Sequence, residues 1–307
     1  MAPSERYRQQ AALLVRTIPA IAAEDCFALK GGTAINLFIR DMPRLSVDID
    51  LTFLPVMPWQ ESLAAIEEAL LRIKQRLETN FASIRVVESR TQGDGPLIRL
   101  IVQLGRAQIK IEVTPVLRGS VFAPELRTVS QSVEEQFGFA EMRVVSFADL
   151  YAGKIMAALD RQHPRDLFDV RGLLAKEGID DGLRRAFIVY LVSHDRPISE
   201  VLNARRKDLA TEFSENFEGM TAEPLALAEL LKAREALVAA IISDMLEAHR
   251  EFLMGFKQGT PDWTLLDLPD AANLPAVRWK QINLDKLSVK ARDKMAGQLK
   301  IVLGRSD

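Results

Sequence analysis

Residues 30–53 read KGGTAINLFIRDMPRLSVDIDLTF. The end of that stretch, VDIDLTF, alternates strictly: Val47, Ile49, Leu51 and Phe53 fall on one side, Asp48, Asp50 and Thr52 on the other. A period of two predicts a half-buried strand. Asp48 and Asp50 then stand on one face, about 7 Å apart along the backbone. Carboxylates held that close repel each other unless a cation lies by them. Divalent ions, Mg2+ or Mn2+, would relieve the repulsion. They would also supply a reaction, by activating a hydroxyl and gripping a triphosphate. The plain alternative is a solvated polar strand face, since Asp-x-Asp is short and common.

Three neighbouring features favour the chemical reading. Gly31-Gly32-Thr33 forms a turn that should launch a short helix with Leu37 and Phe38 facing inward. Paired glycines let a backbone approach a phosphate, and amides at a helix start attract anions. Ser46 lies two residues before Asp48, on the same side if the strand begins there, with its hydroxyl near metal or phosphate. Further on, QIKIEV (108–113) alternates Ile109, Ile111 and Val113 with Lys110 and Glu112. If that strand neighbours 47–53, Glu112 becomes a third metal-binding carboxylate; otherwise it is a surface glutamate.

Working outward, 307 residues favour two domains. An amphipathic helix is predicted over 5–23, with Pro19 kinking or ending it, and a second over 59–77. Strands are predicted at 83–89, 97–104 and 108–113. The first two are separated by Gly93-Asp94-Gly95-Pro96, and Gly105-Arg106 turns a hairpin between the others. Residues 115–145 read as irregular. Beyond them the chain turns helical, with helices expected at 165–176, 180–192, 198–207, 225–256 (with room for a break) and 284–302. The boundary falls near 145, giving a catalytic domain over 1–145 and a helical domain over 146–307.

The single cysteine, Cys26, cannot close an internal disulfide, which fits a reducing, cytoplasmic setting. The opening MAPSERYRQQ is polar, unlike a signal peptide, and the apolar runs are far too short for a membrane span. Net charge is -2, so any nucleic-acid site must be local. One such place is 278–307, with eight Lys or Arg against three Asp. There Lys286, Lys290 and Lys294 recur every four residues as a helical stripe, beside an apolar stripe that includes Leu284 and Leu287. Trp279 between Arg278 and Lys280 is placed to stack on a base, unless it is a core residue. Arg205-Arg206-Lys207 is a second, weaker patch. His163 and His194 lack partners at ligand spacing and read as structural.

A second block, DLYAGKIMAALDRQHPRDLFDV, spans 149–170. On a helix Asp166 and Asp169 share a face, and Arg165 lies four before Asp169. Taken alone this is an Arg–Asp surface pair, and Lys154 lays its stem along Tyr151, Ile155 and Leu159.

Together, the two blocks resemble the nucleotidyltransferase superfamily and, more closely, the AbiEii/AbiGii toxins of type IV toxin–antitoxin systems. The likeness lies in KGGTAINLFIRDMPRLSVDIDLTF and in the lysine followed by Arg-Asp-x-x-Asp. It implies an α/β (α+β) fold, a mixed β-sheet with flanking helices, followed by a helical C-terminal domain. By the same resemblance Asp48 and Asp50 are metal ligands and Gly32 and Thr33, beside Gly31, hold nucleotide phosphate. Lys154 binds triphosphate, and Asp166 or Asp169 is the acid of the last motif. A Ser or Thr at the position of Ser46 can be a target of inactivating phosphorylation in that family. The third acid of the superfamily is usually Asp, so Glu112 departs by one methylene.

The expected function is a cytoplasmic transferase that moves a nucleotide from an NTP to an RNA hydroxyl, the tRNA 3′ end, with a separate antitoxin as partner. Two alternatives stay open: a protein or small-molecule acceptor, or a non-catalytic binding protein that keeps the fold.

Overall fold

The computed structural model describes residues 5–91, 95–221 and 223–304. The Gly93-Asp94 part of the turn expected between the first two hairpin strands lies outside them, as does Arg305 of the basic tail. The chain forms two compact units. One runs up to Ser146 and takes in Gly219–Pro224; the other comprises Phe147–Glu218 and everything from Leu225 on.

The first unit is built on a seven-stranded sheet. Its strands are β1 (Phe27–Lys30), β2 (Asp48–Phe53), β3 (Ile84–Arg90), β4 (Leu97–Leu104), β5 (Ala107–Val113), β6 (Glu125–Thr128) and β7 (Glu141–Val144). They lie in the order β3-β4-β5-β2-β1-β7-β6, so the Asp-x-Asp strand β2 is central. It runs parallel to β5 and antiparallel to β1. Ile49, Leu51 and Phe53 are buried, as the alternation requires. Phe27 pairs with Phe53 in register and meets it edge to face at 6.1 Å.

Helix α1 (Glu5–Ala22) continues through Pro19, and α3 (Trp59–Asn80) follows Pro58. The two pack on each other; α1 contacts β5 and β7, and α3 contacts β3 and β4. Between β1 and β2 come α2 (Gly31–Ala34) and a π-helical stretch, Ile35–Ile39, which buries Leu37 and Phe38 as expected. The segment 115–145 is more ordered than its sequence reads. It carries β6, β7 and a short helix, α4 (Gln131–Phe137).

An ion cluster around one buried carboxylate ties the turn after α1 to α3. Glu24, 6% exposed, accepts from Arg72 NH2 at 2.8 Å and from Arg76 NH1 at 2.5 Å. Burial pushes the Glu24 carboxyl up, but the hydrogen bonds and charges of the two arginines outweigh it, leaving it below its ordinary 4.5. A folded value below the unfolded one adds stability that is complete above pH 4.5 and lost as pH falls through the folded value. Glu24→Gln is therefore expected to lower stability at neutral pH and to flatten the acid limb. Urea midpoints measured between neutral pH and about pH 3 read this; an unchanged acid limb would count against it.

The second unit is helical. It contains α5 (Phe147–Asp160), α6 (Pro164–Lys176), α7 (Asp181–Ser193), α8 (Ile198–Leu202), α9 (Ala210–Asn216), α10 (Leu227–Ser243), α11 (Glu247–Gln258), α12 (Pro275–Asp285) and α13 (Val289–Val302). The expected helix over 198–207 stops at Leu202, and that over 225–256 breaks in two. The expected single helix 284–302 is also two. Ser288 accepts a hydrogen bond from the Ala291 amide and starts α13, while Lys286 caps the end of α12. The Lys286–Lys290–Lys294 stripe is thus split at a helix start, although all three lysines are exposed. Leu287, assigned to the apolar stripe, is 38% exposed, and Trp279 is a surface residue at 56% rather than a core one.

Candidate active site

Sheet register assembles the site of the first unit. Lys30 of β1 is opposite Asp50, Asp50 is opposite Glu112 of β5, and Glu112 is opposite Arg99 of β4. Four charged residues therefore form one row across four adjacent strands. In the next row Asp48 is opposite Lys110. Asp48 and Asp50 project on the same face, as the alternation requires, and both are partly exposed.

These groups contact each other unequally. Arg99 NH2 donates to Glu112 Oε1 at 2.7 Å. Lys110 Nζ lies 3.5 Å from Glu112 Oε2 and 3.8 Å from Asp48 Oδ2. Burial raises the Glu112 carboxyl, yet the Arg99 hydrogen bond and the charges of Arg99 and Lys110 carry it net below the ordinary range. Burial lowers the Lys30 ammonium, and Asp50 and Glu112 offset only part of that. The carboxylates of Asp48 and Asp50 are hard oxygen donors on one strand face and suit a divalent cation. Glu112 adjoins Asp50 but has both oxygens engaged by Arg99 and Lys110. Among the described residues no three His, Cys, Asp or Glu side chains converge as a metal-holding group.

The glycine turn lies against this face. Gly31 takes a left-handed φ of +74°, and a Cβ there would come 2.6 Å from Asp50 Oδ2. Both the backbone and the space demand glycine. Gly31→Ala is expected to cost about 1–3 kcal/mol and to displace the Asp50 carboxylate. Thermal denaturation would read the loss, and a wild-type melting point would contradict it.

A Cβ on Gly32 would meet Arg44 NH2 at 2.8 Å and Ser46 Oγ at 3.0 Å. Thr33 Oγ1 donates to the carbonyl of Asp48 and lies 3.0 Å from Ser46 Oγ. Ser46 precedes the strand, which starts at Asp48, yet its hydroxyl still reaches the turn. Gly31, Gly32, Thr33, Ser46, Asp48 and Asp50 are thus gathered in one place.

Sequence reading missed Lys30, Arg44, Arg99 and Lys110 as members of this site. Arg44 is 3% exposed, its NH1 donating to the Leu45 carbonyl at 2.9 Å. Its only sequence signal was its position two residues before Ser46. The other three enter through strand register, which no local pattern reveals.

Lys154, Asp166 and Asp169 come together within the second unit. Lys154 Nζ lies 2.8 Å from Asp166 Oδ1 and 3.1 Å from Asp169 Oδ2, with all three side chains buried. Arg161, largely exposed, donates Nε to Asp166 Oδ2 at 2.5 Å. Burial pushes Asp166 up, but the charge of Lys154 and the hydrogen bonds and charge of Arg161 hold it far below the usual carboxylate range. The pair read as surface decoration is a buried ion cluster, and Arg165 stays outside it, exposed. His163 accepts from the Arg165 amide through Nδ1, capping α6. His194 accepts from the Arg196 amide.

The family model for the nucleotidyl transferase AbiEii toxin of type IV toxin–antitoxin systems matches residues 12–281. No curated protein matches. Among solved structures, the chain is similar to MenT4, a nucleotidyltransferase toxin from Mycobacterium tuberculosis H37Rv. Identity is 18%, the alignment covers 97% of this chain and 94% of that one, and the TM-score is 0.60. The likeness shows that the mixed sheet and its helices share that toxin's fold.

Proposed function

The chain belongs to the AbiEii family of nucleotidyl transferase toxins of type IV toxin–antitoxin systems, and from that premise we propose that it transfers a nucleotide from an NTP to an RNA hydroxyl, the 3′ end of tRNA being the acceptor. The observation that carries this reading is the meeting of Asp48 and Asp50 with the bare Gly31-Gly32 turn on one strand face. Asp48 and Asp50 would hold Mg2+ or Mn2+, and Glu112 would join them as the third carboxylate only by exchanging Arg99 and Lys110 for the ion. A divalent ion bound there supplies Lewis-acid polarisation of the phosphate and a lower pKa for the attacking hydroxyl.

In the reaction the RNA hydroxyl oxygen forms a bond to the α-phosphorus of the NTP. The bond from that phosphorus to the oxygen shared with the β-phosphate breaks, pyrophosphate leaves with the electron pair, and the hydroxyl proton passes to water. The chain's own groups position the reactants. Gly31 and Gly32 admit phosphate close to the backbone, and Ser46 supplies the hydroxyl beside them that turns to donate to it, while the buried Thr33 gives its proton to the Asp48 carbonyl and holds the turn. Arg44, beside Gly32, and Lys30, beside Asp50, add positive charge; Lys154 is the triphosphate lysine expected from the second block. Catalysis of this kind is positioning and charge neutralisation. The setting is cytoplasmic, and a cognate antitoxin is the protein partner. No helix among the described residues is long and apolar enough to cross a membrane.

The test is incubation with each labelled NTP and total RNA, beside protein and small-molecule acceptors, with and without Mg2+. Label in tRNA that depends on Mg2+ is expected; label only in protein or drug would move the acceptor. One observation favours a non-catalytic alternative. The three acids Asp48, Asp50 and Glu112 face three bases, Lys30, Lys110 and Arg99, so the face can balance its charge unaided. Calorimetry that finds neither Mg2+ nor NTP binding would favour that alternative.

A further inference from the structure

The second unit contains a cleft of about 500 Å³ that the transfer chemistry leaves unused. Its charged lining is Arg196, Arg205, Arg206 and Lys207 against Asp160 and Asp208. Four cations against two anions make it locally positive on a chain whose net charge is -2. Arg196 is neutralised, NH1 lying 2.5 Å from Asp160 Oδ1, and Arg206 pairs with Glu235 at 2.9 Å. Lys207 Nζ donates only to the carbonyls of Asp160 and Arg161, at 3.3 and 3.2 Å, so its charge is kept. Arg205 is exposed and, among the described residues, has no acidic partner.

The backbone that presents these residues is held from beneath. Gln162, 2% exposed, has a left-handed φ of +54°. Its Nε2 donates to the Arg205 carbonyl at 2.9 Å, and its Oε1 accepts from the Lys207 amide at 3.1 Å. Arg234, 9% exposed, donates to that same Oε1 at 3.2 Å and to the Lys207 carbonyl at 3.0 Å. Two buried side chains thus fix three consecutive basic residues, and Arg205 and Lys207, against Asp208, leave the mouth with one net positive charge.

We propose that this cleft binds the sugar–phosphate backbone of the acceptor RNA, a proposal that rests on the RNA-acceptor reading above. The cleft is large enough for more than a lone phosphate. An arginine fork and a lysine on a rigid loop match phosphate oxygens without reading sequence.

The experiment titrates fluorescent total tRNA with full-length protein at several salt concentrations. Arg205→Glu is expected to weaken binding roughly tenfold and to make the log–log salt dependence shallower by about 0.7–0.9 per lost contact. Arg205→Lys should restore most of the affinity. Because Arg205 has no acidic partner to lose, melting temperatures should match. Asp48→Ala should bind tRNA normally, which separates binding from transfer.

Wild-type affinity in Arg205→Glu overturns the cleft and leaves the acceptor reading standing. Loss confined to a Lys290→Gln/Lys294→Gln variant does the same. Displacement of tRNA by poly-glutamate at equal charge overturns it in favour of an acidic protein partner. Wild-type protein that binds no tRNA even at low salt overturns both readings.

Discussion

Asp48→Ala abolishes nucleotide transfer, by about 10³-fold or more, and lowers the melting temperature by no more than about 2–4 °C. The stability half of this result follows from exposure. The Asp48 side chain is 42% exposed and its ion pair with Lys110 spans 3.8 Å, a contact worth under about 1 kcal/mol. The activity half follows from the strand. Asp48 and Asp50 are the two carboxylates that suit the ion, and removing one leaves Asp50 flanked by Lys30 and Glu112. Toxicity on expression should vanish together with transfer of label into RNA. Persistent transfer in a folded Asp48→Ala protein would sink the mechanism.

Lys154→Met acts the other way round, with its main effect on stability. It removes the central cation and leaves Asp166 and Asp169 buried, with Arg161 reaching Asp166 from the exposed side. Breaking a buried pair by deleting one partner costs about 3–5 kcal/mol. At roughly 2–4 °C per kcal/mol, the second unit should melt about 10 °C lower. Asp166 also sets a pH dependence. Its folded value lies below the ordinary carboxylate value, so its contribution is complete above about pH 4 and declines as acid protonates it. Without Lys154 that acid limb should move to higher pH. The triphosphate role has a separate readout, a raised KM for NTP. A raised KM with an unchanged melting point would assign Lys154 to phosphate and take away its scaffold role.

The legible parts of the chain were those with a local period. β2 and β5 alternate over six and seven residues, and their acidic faces were readable before any neighbour was known. β1 was not, because Phe27, Ala28 and Leu29 are all buried in a central strand covered on both faces, so nothing alternates. β6 and β7 are four residues each, too short for a period to emerge. The site followed the same division. Asp48, Asp50 and Glu112 announced themselves, while Lys30, Lys110 and Arg99 became members only through register. Hydrophobic pattern also overran real helix ends. Leu284 and Leu299 are both buried as a single helix would require, yet they belong to two, because Ser288 starts a new one between them.

The segment Gly219–Pro224 belongs to the first unit although both its flanks belong to the second. Within it the Met220 carbonyl accepts from the Leu45 amide at 3.1 Å, and Thr221 bridges to Arg44. These are the residues that lead into Ser46 and Asp48. A gene shortened after codon 146 would therefore express the first unit without the backbone segment that braces Arg44 and Leu45. Dissection of this toxin has to proceed by point substitution, not by truncation.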